Sequence, residues 1–250
     1  MQQAQIHTCF SPALFPYFKD PDAIVVVADI FRATSAICTA FHHGVEKMIP
    51  VAGVEEAMEY KKMGFLAACE RNAIKIEGFD FGNSPFHYMD ESIRGKTIAI
   101  STTNGTQAIA VAKDSFCIVI GSFLNLQALA NWIKEQQRNV IILCAGWKNK
   151  FNLEDTLFAG ALAEELMKKE EIVTHCDATL SSVYLYELAK KDLFSFLGNS
   201  SHRIRLKNLD LEKDIRYCLS LNTFDTIPVY NDGALVKLQS KSVHELSTGQ

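Results

Sequence analysis

An acid, an arginine and two hydroxyls fall together in Asp29-Ile30-Phe31-Arg32-Ala33-Thr34-Ser35, directly after the apolar run Ile24-Val25-Val26-Val27-Ala28. A carboxylate at the end of a buried strand is a usual place for a Mg2+ ligand or for a nucleophile that accepts a phosphoryl group. The planar fork of an arginine clamps phosphate or carboxylate. The competing reading is that Asp29 caps a helix and Arg32 pairs with a nearby acid. Convergence of these residue types on one strand end favours chemistry, with Asp29 and Arg32 as catalytic candidates and Thr34 as a substrate contact.

Two further segments repeat the order of apolar strand, polar loop and helix. Ser101-Thr102-Thr103-Asn104-Gly105-Thr106 surrounds a glycine with hydroxyls and an amide ahead of a helix start. Such a loop wraps a phosphate with neutral donors, so Thr102, Thr103, Asn104 and the Gly105 amide are substrate-binding candidates. It lacks the Gly-Lys-[Ser/Thr] element of a Walker loop, and a polar turn with a threonine cap is the alternative. The third segment runs from Cys144 to Asp155 and places Glu154 and Asp155 in the first turn of a long helix. Acids there are favoured by the helix dipole, or one of them coordinates Mg2+, which takes a few carboxylates plus waters. A fourth element, Glu77 to Pro85, is too rich in glycine and aromatics for a regular strand or helix. It reads either as a packed turn or as a binding loop offering Asn83 and Ser84.

These loops need a scaffold, and the rest of the chain supplies one. Short apolar runs alternate with amphipathic segments, the α/β pattern. Strands are expected at Ile24–Ala28, Lys47–Val51, Thr97–Ile100, Phe116–Ile120 and Val140–Leu143. Helices are expected at Ala33–His43, Val54–Met63, from Thr102–Gly105 to about Ala112, Leu126–Gln137 and Leu153–Lys169, the last capped by Asn152. Beyond them the character changes. Asp177–Phe196 reads as one helix, Leu211–Leu221 as another, and Ile227–Tyr230 and Ala234–Leu238 flank the hairpin turn Asn231-Asp232-Gly233. The fold class is therefore α/β, a layered α/β/α arrangement on a largely parallel or mixed sheet, with a C-terminal helical and β-hairpin portion. The 250 residues suit one unit, 1–250, or two intertwined lobes of about 1–170 and 171–250. Ligands in such folds collect outside the carboxyl ends of the strands, where the three loops meet if their strands are parallel neighbours.

Composition narrows the classes. A formal charge of −4 argues against a general nucleic-acid binder, so an anionic ligand must be held by local positive potential or a metal. The 7 cysteines are scattered without a CxxC pair, which speaks against a disulfide framework or zinc site and for a reducing, cytoplasmic setting. Neither a signal peptide nor a membrane-spanning run is visible. The expected partner is a small anionic phosphorylated substrate, with neither nucleic acid nor membrane; a homo-oligomer is compatible with the sequence.

Taken together, VVVADIFRATSAICTAFHHGV, CERNAIKIEGFDFGNSP, ISTTNGTQAI, IGSFLN and CAGWKNKFNLEDTLFAGAL resemble, in that order, the 2-phosphosulfolactate phosphatase family. A weaker echo follows at Ser201-His202 and Asp214–Cys218. The resemblance covers roughly Val25 to Leu162. It implies a Mg2+-dependent phosphohydrolase converting 2-phosphosulfolactate and water to sulfolactate and phosphate, a step towards coenzyme M in some organisms. Asp29 with one or both of Glu154 and Asp155 is then expected to organise Mg2+, and Lys148 or Lys150 to meet the sulfonate or carboxylate. A phosphatase of another phosphorylated hydroxy acid, and a non-catalytic binder of an anionic metabolite, are the alternatives. The chain departs from the family pattern at Asn149, where a glycine is usual, at His87, near which an acid is frequent, and at His202-Arg203-Ile204-Arg205, which replaces His-Gly-Arg. The last departure leaves His202 outside the candidate set.

Overall fold

The computed structural model describes residues 3–168, 172–207 and 209–239, so Lys169, the expected end of the longest helix, lies outside them. The β-branched runs form the centre. Strands β2 (Ile24–Ala28), β7 (Cys117–Gly121) and β8 (Val140–Cys144) are buried at every residue, as strands covered on both faces must be. With β1 (Ala4–Cys9) and β9 (Ile172–Val173) they form a parallel block in the order β7-β2-β8-β1-β9. A second parallel block contains β3 (Lys47–Pro50), β6 (Thr97–Ser101) and β4 (Leu66–Arg71), edged by the antiparallel β5 (Ile74–Lys75).

The C-terminal hairpin joins the blocks. Strands β10 (Pro228–Asn231) and β11 (Ala234–Lys237) turn at Asp232-Gly233, with φ of 43° and 82°, the left-handed pair a two-residue hairpin turn requires. Strand β10 pairs antiparallel with β7, and β11 pairs antiparallel with β3. Residues before and after position 170 therefore share one sheet. Three successive antiparallel pairings reverse direction, so the β3-β6-β4 block runs against the β7-β2-β8 block. Sheet twist offsets this reversal. At about 20–25° per strand, five steps from β6 to β2 accumulate roughly 100–125°. The carboxyl ends of β4 and β6 are thereby turned back towards those of β2 and β8. The contacts agree: Arg32, after β2, donates to the Ala73 carbonyl, after β4, at 2.7 Å, and the Lys148 amide, after β8, donates to Asn104 Oδ1, after β6, at 3.3 Å.

Alternation along β2 sorts the two faces. Ile24, Val26 and Ala28 pack with helices α4 (Leu126–Gln136) and α5 (Leu153–Met167) through Leu129, Ile133, Leu157 and Phe158. Val25 and Val27 face α1 (Ala33–His42) and α3 (Gly105–Val111) through Ile37, Phe41 and Ile109. Helix α2 (Val54–Lys62) covers β4 and β6 with Ala57. This is the layered α/β/α arrangement on a mixed sheet. Among the described residues no helix is long and apolar enough to cross a membrane.

The helix expected over Asp177–Phe196 is instead two, α6 (Asp177–Ala189) and α7 (Leu193–Phe196). The break has a local cause: the Asp192 side chain accepts the Ser195 N–H at 2.9 Å, a cap that starts a new helix. Two further short helices follow, α8 (Ser201–Lys207) and α9 (Glu212–Cys218), the latter inside the expected Leu211–Leu221.

Helices α5 and α6 approach so closely that a Cβ at Gly160 would lie 2.0 Å from the Ser182 carbonyl oxygen. Gly160→Ala must push the helices apart, and we expect a stability loss of about 1–3 kcal/mol in denaturant unfolding. An unchanged midpoint would contradict this packing.

Candidate active site

Local backbone geometry aims the first loop. The Asp29 N–H donates to Thr34 Oγ1 at 3.1 Å, and the Thr34 N–H returns to the Asp29 carbonyl at 2.9 Å. This closed turn starts α1 and leaves the Asp29 carboxyl facing a buried pocket. Gly105 comes in beside it: its N–H donates to the Asp29 carboxyl, and a Cβ there would stand 3.1 Å from Asp29 Oδ2 and 3.2 Å from Ala33 Cβ. The pocket wall also includes Phe31, Arg32, Glu70, Asn83, Thr103, Asn104, Trp147, His202 and Arg205. These residues come from the ends of β2, β4, β6 and β8, from the Glu77–Pro85 segment and from α8.

Asp155 ties two of the loops together. Its Oδ1 accepts the Ile30 N–H at 2.8 Å, and its Oδ2 accepts the Gly146 N–H at 3.1 Å and Asn152 Nδ2 at 2.8 Å. Burial and the neighbouring Glu154 and Asp29 push its carboxyl upward, which the Ile30 and Asn152 donors oppose. Glu154 is spent less completely. Its Oε1 lies 2.5 Å from His202 Nδ1, while its Oε2 is buried without a partner. The His202 ring sits edge-on to Phe31 and tilted against Trp147, each 5.9 Å between centroids. Gly146, Lys148 and Asn149 all take positive φ, the last at 60°, so asparagine fills a left-handed position here.

Arg32 is buried and paired. Nη1 meets Asp214 Oδ2 of α9 at 2.5 Å, and Nη2 donates to the Ala73 carbonyl. It therefore presents fixed positive charge to the pocket while locking α9 to the end of β4. Glu70 accepts the Ala73 N–H and, at 3.0 Å, Asn83 Nδ2, leaving Asn83 Oδ1 buried and unpartnered. Thr103 Oγ1 is likewise unpartnered.

Of the residues singled out by sequence, Asp29, Arg32, Asn83, Thr103 and Asn104 line the pocket, with Gly105, Glu154 and Asp155 directly behind it. Thr34 is used in its own turn, Thr102 Oγ1 accepts the Thr106 N–H at 3.1 Å, and Ser84 lies outside the lining. Lys148 lies over Trp147 at 5.6 Å, and neither it nor Lys150 lines the pocket. Glu70, His202, Arg205 and Asp214 join the site without having been singled out.

Burial raises Asp29 from 3.8 to about 7; His202 works against this, and Glu70 and Glu154 add to it. Glu70 is raised by burial as well, opposed by the Ala73 amide and by Arg32. Among the described residues no group of three or more His, Cys, Asp or Glu side chains is placed to hold a metal ion by itself. Mg2+ does not need one, since it is commonly bound by one or two carboxylates with waters and substrate phosphate. The crowded Asp29 and the unpartnered Glu154 oxygen are hard donors of that kind, so the residues fit the ion.

Comparison with known proteins agrees with the resemblance. The family model described as 2-phosphosulpholactate phosphatase matches residues 9–233. A probable 2-phosphosulfolactate phosphatase of Caldanaerobacter subterraneus subsp. tengcongensis is 39% identical over 213 residues, 84% of this chain and 88% of that protein. Proteins of the same description from Thermotoga maritima and Clostridium novyi are 40% and 38% identical, over 84% and 88% of this chain and 90% and 94% of theirs.

The raised Asp29 carboxyl has a measurable cost. Between pH 4 and 7 the folded protein holds a proton that the unfolded chain, with an ordinary aspartate, has released, so stability falls as pH rises through that window. Asp29→Asn removes this contribution. In chelator at pH 8 the variant is expected to melt several degrees above the wild type, with the gap narrowing towards pH 4. A wild type that melts as high as the variant at pH 8 would refute the raised Asp29 carboxyl.

Proposed function

Because the chain belongs to the 2-phosphosulfolactate phosphatase family, we propose that it is a Mg2+-dependent phosphohydrolase that converts 2-phosphosulfolactate and water to sulfolactate and phosphate. The observation that carries this reading is a set of unused polar atoms. Asn83 Oδ1, Thr103 Oγ1, Glu154 Oε2 and Arg205 Nη2, from four separate parts of the chain, are buried without partners in or beside one pocket. Buried polar groups are nearly always satisfied. Both donors and acceptors waiting at a strand-end pocket suit a ligand that brings oxygens together with a cation.

Asp29 and Glu154 would hold Mg2+ in this reading, with Asp155 keeping their two loops in register. Bound there, the ion neutralises phosphate charge and polarises the phosphorus–oxygen bonds. The chain's own groups do the positioning. Thr103 and Asn104 receive phosphoryl oxygens beside Asp29. Arg32, immobilised by Asp214, adds positive charge that needs no rearrangement as the transition state forms. Phe31, Trp147 and Leu206 keep bulk water from much of the wall, which strengthens these interactions. The carboxyl of Asp29, raised towards neutrality by burial and by Glu70 and Glu154, is the group positioned either to accept the phosphoryl group or to orient the attacking water.

Phosphate release from 2-phosphosulfolactate by purified protein should depend on Mg2+ and cease in chelator. Asp29→Asn should lower kcat by at least ~10²-fold. Turnover of other phosphorylated 2-hydroxy acids with none from phosphosulfolactate would replace the substrate. Tight binding without turnover at any Mg2+ concentration would replace the enzyme by a binding protein. Wild-type rates in Asp29→Asn would remove that residue from the mechanism.

A further inference from the structure

Arg205 is the one arginine, among the described residues, whose side chain makes no hydrogen bond inside the protein. Every other arginine donates at least one to a carboxylate, hydroxyl or carbonyl. Its guanidinium lies over the Trp147 ring at 4.2 Å, and its Nη2 is buried without a partner. It lines the pocket beside Asp29 and Glu70 and feels the charge of Glu154, yet makes no ion pair with any of them. A guanidinium stacked on an indole is fixed in orientation and offers its edge to a planar acceptor. Leaving a buried Nη donor unused costs more than a hydrogen bond returns, so the arrangement is poised for an acceptor from outside.

The phosphoryl side of the pocket does not require this donor. The loop of Thr103 and Asn104 is held against Asp29 by Gly105, and Arg32 is already committed to Asp214 and Ala73. Arg205 arrives on a different element, α8, resting on the loop after β8. We propose that Arg205 receives the carboxylate of the substrate, a group distinct from its phosphoryl group, and thereby selects phosphorylated 2-hydroxy acids over simple phosphate esters. This rests on the phosphatase reading above. The fork of the guanidinium matches a planar carboxylate in two parallel hydrogen bonds.

The test compares 2-phospholactate with isopropyl phosphate, which differ only by carboxylate against methyl, and adds 2-phosphosulfolactate. Each is assayed with wild type, Arg205→Gln and Arg205→Lys. Losing a charged hydrogen-bonded contact should raise KM for the two acids by about 10- to 100-fold in Arg205→Gln. That loss should exceed the loss on isopropyl phosphate by at least tenfold, with Arg205→Lys in between. Equal losses on acid and ester would place Arg205 on the phosphoryl group and overturn the assignment. So would no loss, or sensitivity to Arg205 that appears only when the sulfonate is present. Thermal melts of both variants separate these outcomes from misfolding. If the wild type releases phosphate from none of the esters, the phosphatase reading fails. The role of Arg205 is then decided by calorimetric binding of 2-phospholactate and isopropyl phosphate to the same three proteins, where the same discrimination is expected.

Discussion

Four carboxylates, Asp29, Glu70, Glu154 and Asp155, are buried within one small region, and each must be neutralised or bonded there. The surrounding structure is organised around that demand. Asp155 is satisfied by three N–H donors and, in being satisfied, staples the loops after β2 and β8. Glu70 is held by the Ala73 amide and Asn83, which fixes the end of β4 and the Glu77–Pro85 segment. Glu154 takes His202 and so draws α8 over the pocket. Asp29 is held by the Gly105 amide, and burial pushes its carboxyl towards the protonated form. Removing any structural acid of this set would shift loops as well as charge.

The strand-loop-helix segments around Asp29, Thr103 and Glu154 were legible in the sequence because their signal is local: an apolar run, then polar residues at a helix start. The hairpin was legible for the same reason, since Asp232-Gly233 is itself the turn signal. What local reasoning could not supply was partnership. Thr34 and Thr102 have the right residue type in the right place, yet their hydroxyls serve neighbouring backbone. His202 lies 48 residues beyond Glu154 and Asp214 lies 182 beyond Arg32, and neither has a pattern near it that points to its partner. Glu70 was readable only as part of the Cys69-Glu70-Arg71-Asn72 stretch shared with the family. Strand β1 escaped notice because Gln5, His7 and Thr8 interrupt its apolar residues, and β4 because its interior is alanine and cysteine. The missed split between α6 and α7 turns on one capping aspartate.

Two parallel blocks running in opposite senses would normally display their carboxyl ends on opposite edges. Here the antiparallel hairpin and the accumulated twist together bring them to one place, and the site occupies the crevice between blocks. Each block supplies a different kind of group. The β7-β2-β8 block contributes Asp29, Arg32, Glu154 and Asp155, while the β4-β6 ends contribute Glu70, Thr103 and Asn104. Helices α8 and α9 close the crevice through His202, Arg205 and the Arg32–Asp214 pair.

The central position of β10 and β11 also sets an order of assembly. Their partners β7 and β3 lie about 110 and 190 residues earlier in the chain, so the sheet cannot become continuous until the hairpin has been made. During synthesis the two blocks must wait with exposed inner edges, strands β3 and β7 unpaired on one side, a state prone to mispairing. Long-range closure of this kind is slow. Acquisition of the charged crevice is thereby deferred to the last stage of folding, so an immature chain holds the acids of each block without bringing them together.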